Sequence, residues 1–338
     1  MPEVTIDLRE NKMNRASLIR CVNLMMTLIL CFQMTKIYAD DKPKELKGKA
    51  LKPFIELMQN NLQAWSFHKD DKVFDDAAAD YTRRPDALFW DTSLPLQGFR
   101  GWAEYQHVIK TWLAHGIEQA DIAVVDTDQF MGWRYKDVVW NLMHCEVALV
   151  LANGDRPQPR CRGTSIWEWE GDRWRLAHET FSTPVALEQP VFQGQRPADP
   201  RIEPHQELMA LAQEIARAWG AGPVSELPQR LEQYYLKDKN LTIYTPWQPM
   251  SVYPGWDAFA AGVQENLAPK AQRISLQLND DLEAHRRGRL AWSHATLHIE
   301  TQLSDGRINA GDARQTLIWY LTDQGWRIMH EHFSFPQG

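Results

Sequence analysis

Displacing the sequence by 154 positions lays Trp65 on Trp219, Tyr81 on Tyr235, Gly101 on Gly255 and Trp102 on Trp256 without a gap. A displacement of 152 then lays Trp140 on Trp292, Arg162 on Arg314, Thr164 on Thr316, Trp167 on Trp319 and Trp174-Arg175 on Trp326-Arg327. His178-Glu179, Phe181-Ser182 and Pro184 fall in the same way on His330-Glu331, Phe333-Ser334 and Pro336. Such a repeat constrains the fold more than composition can, because whatever residues 46–185 build, residues 205–338 must build again. Between the copies, Pro190, Pro197, Pro200 and Pro204 mark residues 186–204 as a linker.

Each copy reads helices first and strands last. Leu208, Leu211, Ile215 and Trp219 recur at helical spacing in the second copy, as Phe54, Leu57 and Trp65 do in the first. A later helix opens after a glycine in both, with Trp102, Tyr105, Ile109 and Leu113 matching Trp256, Phe259, Val263 and Leu267 on one stripe. Strands are expected at 87–91, 137–151, 161–170 and 173–181, and again at 241–245, 290–303, 313–321 and 326–333. Glu170-Gly171-Asp172 and Asp323-Gln324-Gly325 join the last two of each set as hairpins. Helices segregated from a mainly antiparallel sheet give an α+β unit, here present twice.

The first 39 residues differ from the rest. Arg15 and Arg20 precede the apolar run from Cys21 to Phe32, which suits the core of an export signal better than a bilayer span, with Ala39 as the cleavage residue and Met1 or Met13 as the start. Periplasmic or secreted location and no stable membrane insertion after cleavage are the expectations; an uncleaved anchor is the alternative. Of the cysteines, Cys145 and Cys161 lie beyond this leader. An oxidising compartment would permit a disulfide. A hairpin folding about residues 155–156 would instead set Cys145 opposite residue 166, roughly 15 Å from Cys161 at about 3.3 Å per residue, and so predicts two separate buried thiols unless the register is shifted. With 37 Lys and Arg against 44 Asp and Glu the net charge is -7, and nucleic acid is not an expected partner.

The closing pattern, Arg314-Gln315-Thr316-Leu317-Ile318-Trp319, a short turn and Gly325-Trp326-Arg327-Ile328-Met329-His330-Glu331-His332-Phe333-Ser334-Phe335-Pro336, resembles the end of SnoaL-like domains of the nuclear transport factor two-like superfamily. The glycine-led helix at Gly255-Trp256 fits the same pattern. The resemblance extends over both copies. It implies two cone-like domains, each a curved sheet closed by helices, and it leaves activity open, since that superfamily holds isomerases, dehydratases, cyclases, assembly domains and binding modules. Single-domain relatives pair through the convex sheet, so the two copies are expected to pack as an intramolecular pseudo-dimer that hides Trp167 and Trp319.

Strict alternation places Trp326, Ile328, His330, His332 and Ser334 on one face of the last strand, and Arg314, Thr316, Ile318 and Tyr320 together on its neighbour. If these faces are concave, Arg314, His330, His332 and Ser334 share a cavity in which a buried cation keeps the imidazoles neutral. The competing reading pairs Arg314 with Glu331 or Glu300 and lets the histidines satisfy backbone groups. The first copy keeps Arg162, His178 and Ser182 and adds Asp91, His144 and Glu146. Candidate catalytic residues are therefore His332, Arg314, His330, Asp91 and His178, and candidate ligand contacts are Arg162, Trp90, Tyr244, Tyr320, Ser334 and Thr316. His294 and His298 with His330 and His332 raise a multi-histidine metal site as a minor alternative. No phosphate loop, nucleophile elbow, zinc-finger spacing or dinucleotide fingerprint occurs, so no cofactor or metal is expected. These residues leave three readings: an exported protein binding a small apolar or carbonyl-containing molecule, a cofactor-free lyase or isomerase with a His or Asp base, or a non-catalytic interaction module.

Overall fold

The hairpin order of the sequence becomes the same sheet twice. The computed structural model describes residues 42–68, 75–92, 95–114, 116–188 and 206–336, with the backbone alone at 75–76 and 108–114; the expected export signal and most of the linker lie outside these residues. The first sheet contains β1 (Lys44–Glu45), β2 (Phe67–His68), β3 (Leu88–Trp90), β4 (Phe99–Arg100), β5 (Ile117–Val125), β6 (Met131–Tyr135), β7 (Val138–Leu151), β8 (Arg160–Glu170) and β9 (Arg173–Ser182). The second contains β10 (Thr242–Tyr244), β11 (Tyr253–Pro254), β12 (Ala271–Leu278), β13 (Glu283–Arg287), β14 (Leu290–Leu303), β15 (Ile308–Thr322) and β16 (Gly325–Ser334).

Strand for strand the sheets correspond: β4-β3-β9-β8-β7 is the path of β11-β10-β16-β15-β14, with β5 and β6 on β7 as β12 and β13 are on β14. Pairing is antiparallel except where β3 lies parallel to β9 and β10 parallel to β16. The α+β architecture read from the repeat is the one observed. The sequence pattern missed β5, β6, β12 and β13, whose buried positions are interrupted by exposed ones, as in the Glu-Ala-His-Arg-Arg of β13.

Helices cover one face of each sheet because their apolar residues fall on one stripe. Helix Lys52–Ala64, with Pro53 in its first turn, buries Phe54, Met58 and Leu62; helix Gln206–Gly220 buries Leu208, Ala212, Ile215 and Trp219. The glycines that open helices Gly101–Ala114 and Trp256–Gly262 have φ of 64° and 86°, and the N–H of each donates to the residue just before β3 or β10, Gly101 to Ala87 and Gly255 to Leu241, both at 2.8 Å. A side chain at either position would be strained there.

Two departures from the expected pattern decide what each face carries. The first is a β-bulge. Ile318 pairs with His330 but Trp319 with Ile328, and in the first sheet Ile166 pairs with His178 but Trp167 with Leu176. One extra residue, Met329 or Ala177, resets the phase, so Trp326 and Ile328 belong to the helix-side core while His330, His332 and Ser334 face the other way. The second concerns Trp167 and Trp319: they sit in the two helix-side cores, not between the halves. Trp133, Trp140, Ile166, Trp292, Ile318 and Tyr320 instead form a third cluster, to which both sheets contribute.

Cys145 and Cys161 are disulfide-bonded, which corrects the expectation of separate thiols. The β7–β8 turn is centred near Asn153, not 155–156, with Gly154 N–H donating to Leu151 at 2.9 Å. Cys145 and Cys161 are then direct cross-strand partners with Cα atoms 5.1 Å apart. The bond closes a loop with a sequence separation of 16, so the Cys145→Ala/Cys161→Ala variant is expected to lose about 3 kcal/mol, the chain entropy that such a cross-link removes from the unfolded state. Urea unfolding of variant and parent under non-reducing conditions checks this.

Candidate functional site

His330, His332, Arg314 and Thr316 face the other half of the chain, and the contacts are exchanged in pairs. His178 Nε2 lies 2.8 Å from Thr316 Oγ1, and its repeat mate His330 Nε2 lies 2.9 Å from Thr164 Oγ1, the mate of Thr316. His178 Nδ1 bonds Leu88 O at 2.7 Å, while His330 Nδ1 approaches Thr242 Oγ1 at 2.9 Å and Thr242 O at 3.2 Å. Arg314 donates to the carbonyls of Asp91 and Pro95 at 2.6 Å and of Leu96 at 3.0 Å. Arg162 donates to the carbonyls of Thr245 and, at 2.9 Å, Pro249. Each of these contacts has its repeat mate running in the opposite direction.

One proton arrangement satisfies the polar chain through this seam. His330 Nδ1–H donates to Thr242 O, so Nε2 accepts from the Thr164 hydroxyl; the Thr164 oxygen then accepts His332 Nδ1–H at 2.8 Å, and His332 Nε2 accepts from Ser182 at 2.7 Å. Ser182 Oγ in turn accepts Arg162 Nε–H at 3.1 Å. Each imidazole in the chain is neutral. Burial is the main reason: it lowers His178 and His330 to about 3 and puts His332 well below the ordinary value, with the Arg162 charge adding to the effect on His330 and His332. His294, stacked on His178 at 5.3 Å between centroids, is held down by burial as well, and His285 to about 4. Burial also lowers both guanidiniums to about 10.

The faces expected to be concave are thus the seam between the sheets, and the residues on them are buried and bonded to one another. Trp90 sits edge-on to His178 and His294. Tyr244 lies beneath the Arg162 guanidinium at 4.6 Å, and Tyr320 beneath that of Arg289 at 5.3 Å. Ser334 is buried, with its hydroxyl unpartnered. Arg314 meets carbonyls across the seam rather than Glu331, which lies on the opposite face. His144 pairs with Asp126 at 3.1 Å and His298 with Asp312 at 2.8 Å, and the described residues hold no group of three or more His, Cys, Asp or Glu set to bind a metal. Charged pairs close the rim: Arg100 grips the fully buried Glu283 with both terminal nitrogens, and Arg287 meets Glu168 at 2.6 Å.

Inside the cups, between helices and sheet, the sequence reading overlooked a second constellation. In the first cup Trp65 Nε1 donates to Tyr81 Oη at 3.0 Å, and Tyr81 donates to Glu179 Oε1 at 2.9 Å. In the second, Tyr235 donates to Glu331 Oε2 at 2.5 Å. Burial pushes Glu179 up to about 8, against the pull of Tyr81 and Tyr105 and with the help of the Asp91 charge; it pushes Glu331 up to about 7. The cups differ in one donor. Gln315 Nε2 donates to Glu331 Oε1 at 2.8 Å, so both oxygens of that carboxyl are engaged. The register puts Gly163 in the place of Gln315, because Gly163 faces Phe181 as Gln315 faces Phe333. A Cβ there would lie 2.7 Å from the Phe181 ring and 2.8 Å from Met143 Cε, so these side chains occupy the space of the missing amide. Glu179 Oε2 is fully buried without a hydrogen-bond partner. The repeat itself carried the signal, since Tyr81, Glu179, Tyr235 and Glu331 all recur; the bulge hid which way the glutamates point.

The SnoaL-like family matches residues 225–338. That stretch is a SnoaL-like domain. Its sheet, from β10 to β16, is the one whose topology the first half repeats. Among solved structures, a nuclear transport factor 2 (NTF2-like) superfamily protein from Salmonella enterica serovar Typhimurium is similar at 19% identity, over 39% of this chain and 91% of its own, with a TM-score of 0.35. An NTF2-like protein of unknown function from Pseudomonas putida shows 19% identity over 39% and 87%, with a TM-score of 0.32. A hexachlorocyclohexane dehydrochlorinase (LinA, type 2) shows 11% over 39% and 87%, with a TM-score of 0.33. No curated protein matches the chain. Among the described residues no helix is long and apolar enough to cross a membrane.

Proposed function

We propose that the chain is an exported pair of SnoaL-like domains, packed back to back as a pseudo-dimer, whose first cup takes up a small, mostly apolar molecule bearing a carbonyl oxygen. The observation that carries this reading is the unpartnered Oε2 of Glu179. At neutral pH the raised pKa keeps this carboxyl protonated. Oε1 already accepts from Tyr81, so the proton on Oε2 is a donor without an acceptor, with the Tyr105 hydroxyl the other phenol that acts on the carboxyl. A buried donor of this kind costs about 1–3 kcal/mol, which an acceptor on a ligand offsets. In the second cup both oxygens of the matching carboxyl are already engaged, Glu331 Oε1 by the Gln315 amide and Oε2 by the Tyr235 hydroxyl.

The same geometry gives the lyase or isomerase reading a different acid. A carboxyl titrating near 8 can protonate a carbonyl oxygen, and Asp91, close enough to raise it, is the complementary base. The seam histidines take no part in either scheme.

Thermal shift and native mass spectrometry with a panel of cyclic ketones and aryl ketones test the proposal. At least one is expected to bind and stabilise the parent and Glu331→Gln, and Glu179→Met is expected to lose the effect. Equal stabilisation of Glu179→Met, or no binding by any ketone to the parent, overturns it.

A further inference from the structure

The guanidinium exchange across the seam ties each domain to one loop of the other. In both copies the loop follows the strand that lies parallel to the last one: β3 leads into the described residues 91–92 and 95–98, and β10 into 245–252. Arg314, fully buried on β15, reaches out of the second sheet and holds the carbonyls of Asp91, Pro95 and Leu96, with its charge 5.7 Å from the centre of the Trp90 ring. A planar fork can hold several carbonyls in one fixed geometry; an ammonium on a flexible stem cannot. Asp91 follows directly on the β3 residues Phe89 and Trp90 that pair with Glu179 and Thr180, and its charge acts on Glu179 and Tyr105. From the second cup's side, Arg162 holds Thr245 and Pro249, and Thr245 stands where the first copy has Asp91.

We infer that Arg314 is a positioning residue for the first cup: through three backbone carbonyls it fixes the loop that sets Asp91 beside Glu179, so the second domain serves as the support on which the first cup's rim is built. Arg162 does the same for the second cup, where no carboxylate occupies the corresponding position. The inference rests on the reading of the first cup as the ligand site only for its functional meaning; the mechanical link is independent of any ligand. It also gives the covalent duplication a use. The two members of the exchange can diverge, with the second domain keeping a completed cup while its arginine holds open chemistry next door.

Hydrogen–deuterium exchange on the full chain reads the link without a ligand. Arg314→Lys is expected to speed exchange at the amides of residues 96–100 by at least tenfold while 241–253 and the strand 138–151 stay within twofold of the parent. Arg162→Lys is expected to do the reverse. A second readout follows the carboxylic-acid carbonyl stretch of Glu179 by infrared difference spectroscopy, assigned by its loss in Glu179→Gln. Its titration midpoint should fall in Arg314→Lys, because a displaced Asp91 no longer opposes ionisation, and should not move in Arg162→Lys. If either arginine variant loosens both loops and the strand equally, or if the Glu179 midpoint is unmoved in Arg314→Lys, the inference is overturned. Should Arg314→Lys fail to fold, Arg314→Gln, which keeps a planar donor, replaces it under the same criteria. If no ketone binds while both readouts respond as stated, the positioning role stands and the ligand reading alone falls.

Discussion

Taking the protein from pH 6 to pH 5 is expected to lower its unfolding free energy by up to about 4 kcal/mol, a loss set by the seam. Five imidazoles, those of His178, His285, His294, His330 and His332, are held below their ordinary pKa by burial. In the unfolded chain each titrates near 6.5, so below that pH the unfolded state binds protons that the folded state refuses. Where the unfolded state binds more protons, stability falls on acidification, by about 1.4 kcal/mol per proton per pH unit. The cups oppose this. Glu179 and Glu331 have folded pKa values raised to about 8 and about 7, so the folded state carries two protons that the unfolded state lacks until pH nears 4.5. Five protons against two leave a net uptake of at most about three on unfolding, trimmed by Glu168 and Asp281, whose carboxyls burial also raises, hence up to about 4 kcal/mol per pH unit. Above pH 7 the histidine contribution vanishes, and below about pH 4 the folded imidazoles begin to charge. Urea unfolding at pH 7, 6, 5 and 4.5 measures the slope. His178→Gln, whose amide can still meet Leu88 O and Thr316, should reduce the slope by one proton. A slope that does not change from pH 7 to pH 5, or one that His178→Gln leaves untouched, would place the acid sensitivity elsewhere.

The repeat, the helix-then-strand order and the eight long or central strands were legible because each rests on a strong local signal: paired tryptophans, helical stripes, Gly-containing turns. The short, mixed β13 was not, since its Glu-Ala-His-Arg-Arg carries no apolar alternation and is held by pairing with β14 and by tertiary contacts such as Arg100 with Glu283. The site was misplaced for one geometric reason. Alternation assigns a face to every residue only while the ladder is regular, and a single bulged residue, Ala177 or Met329, sends Glu179 and Glu331 into the cups and their histidine neighbours into the seam. Nothing in a strand's composition distinguishes a bulged Met from a regular one. What the sequence did contain is the company these residues keep. A Glu retained in both copies within otherwise apolar strands, with a Tyr retained near the end of the preceding helical region, is a pairing that desolvation requires of a buried carboxyl. The disulfide was lost to a similar small error, a turn centre displaced by about two residues.

Replacing Glu179 by Gln is expected to stabilise the protein strongly in alkaline solution and weakly in acid. A carboxyl whose folded pKa lies above its unfolded one contributes stability that is complete below the unfolded value, near 4.5, and is lost as pH rises through the folded value. For Glu179 that window runs from about 4.5 to about 8, and for Glu331 from about 4.5 to about 7. Across it Glu179 loses roughly 4–5 kcal/mol and Glu331 roughly 3 kcal/mol, at about 1.4 kcal/mol for each tenfold weakening of the acid. A glutamine cannot ionise, keeps an oxygen for Tyr81 and leaves a donor where Oε2 now has one. The gain of Glu179→Gln over the parent should therefore grow by roughly 4 kcal/mol between pH 5 and pH 9. Glu331→Gln should show the same trend about one third smaller, because Tyr235 and Gln315 already support that carboxylate from both sides. Denaturant titrations of the three proteins at the two pH values decide the matter. A pH-independent gain would show Glu179 ionised throughout, and a larger effect at Glu331 would mean that the second cup, not the first, holds the carboxyl that is short of a partner.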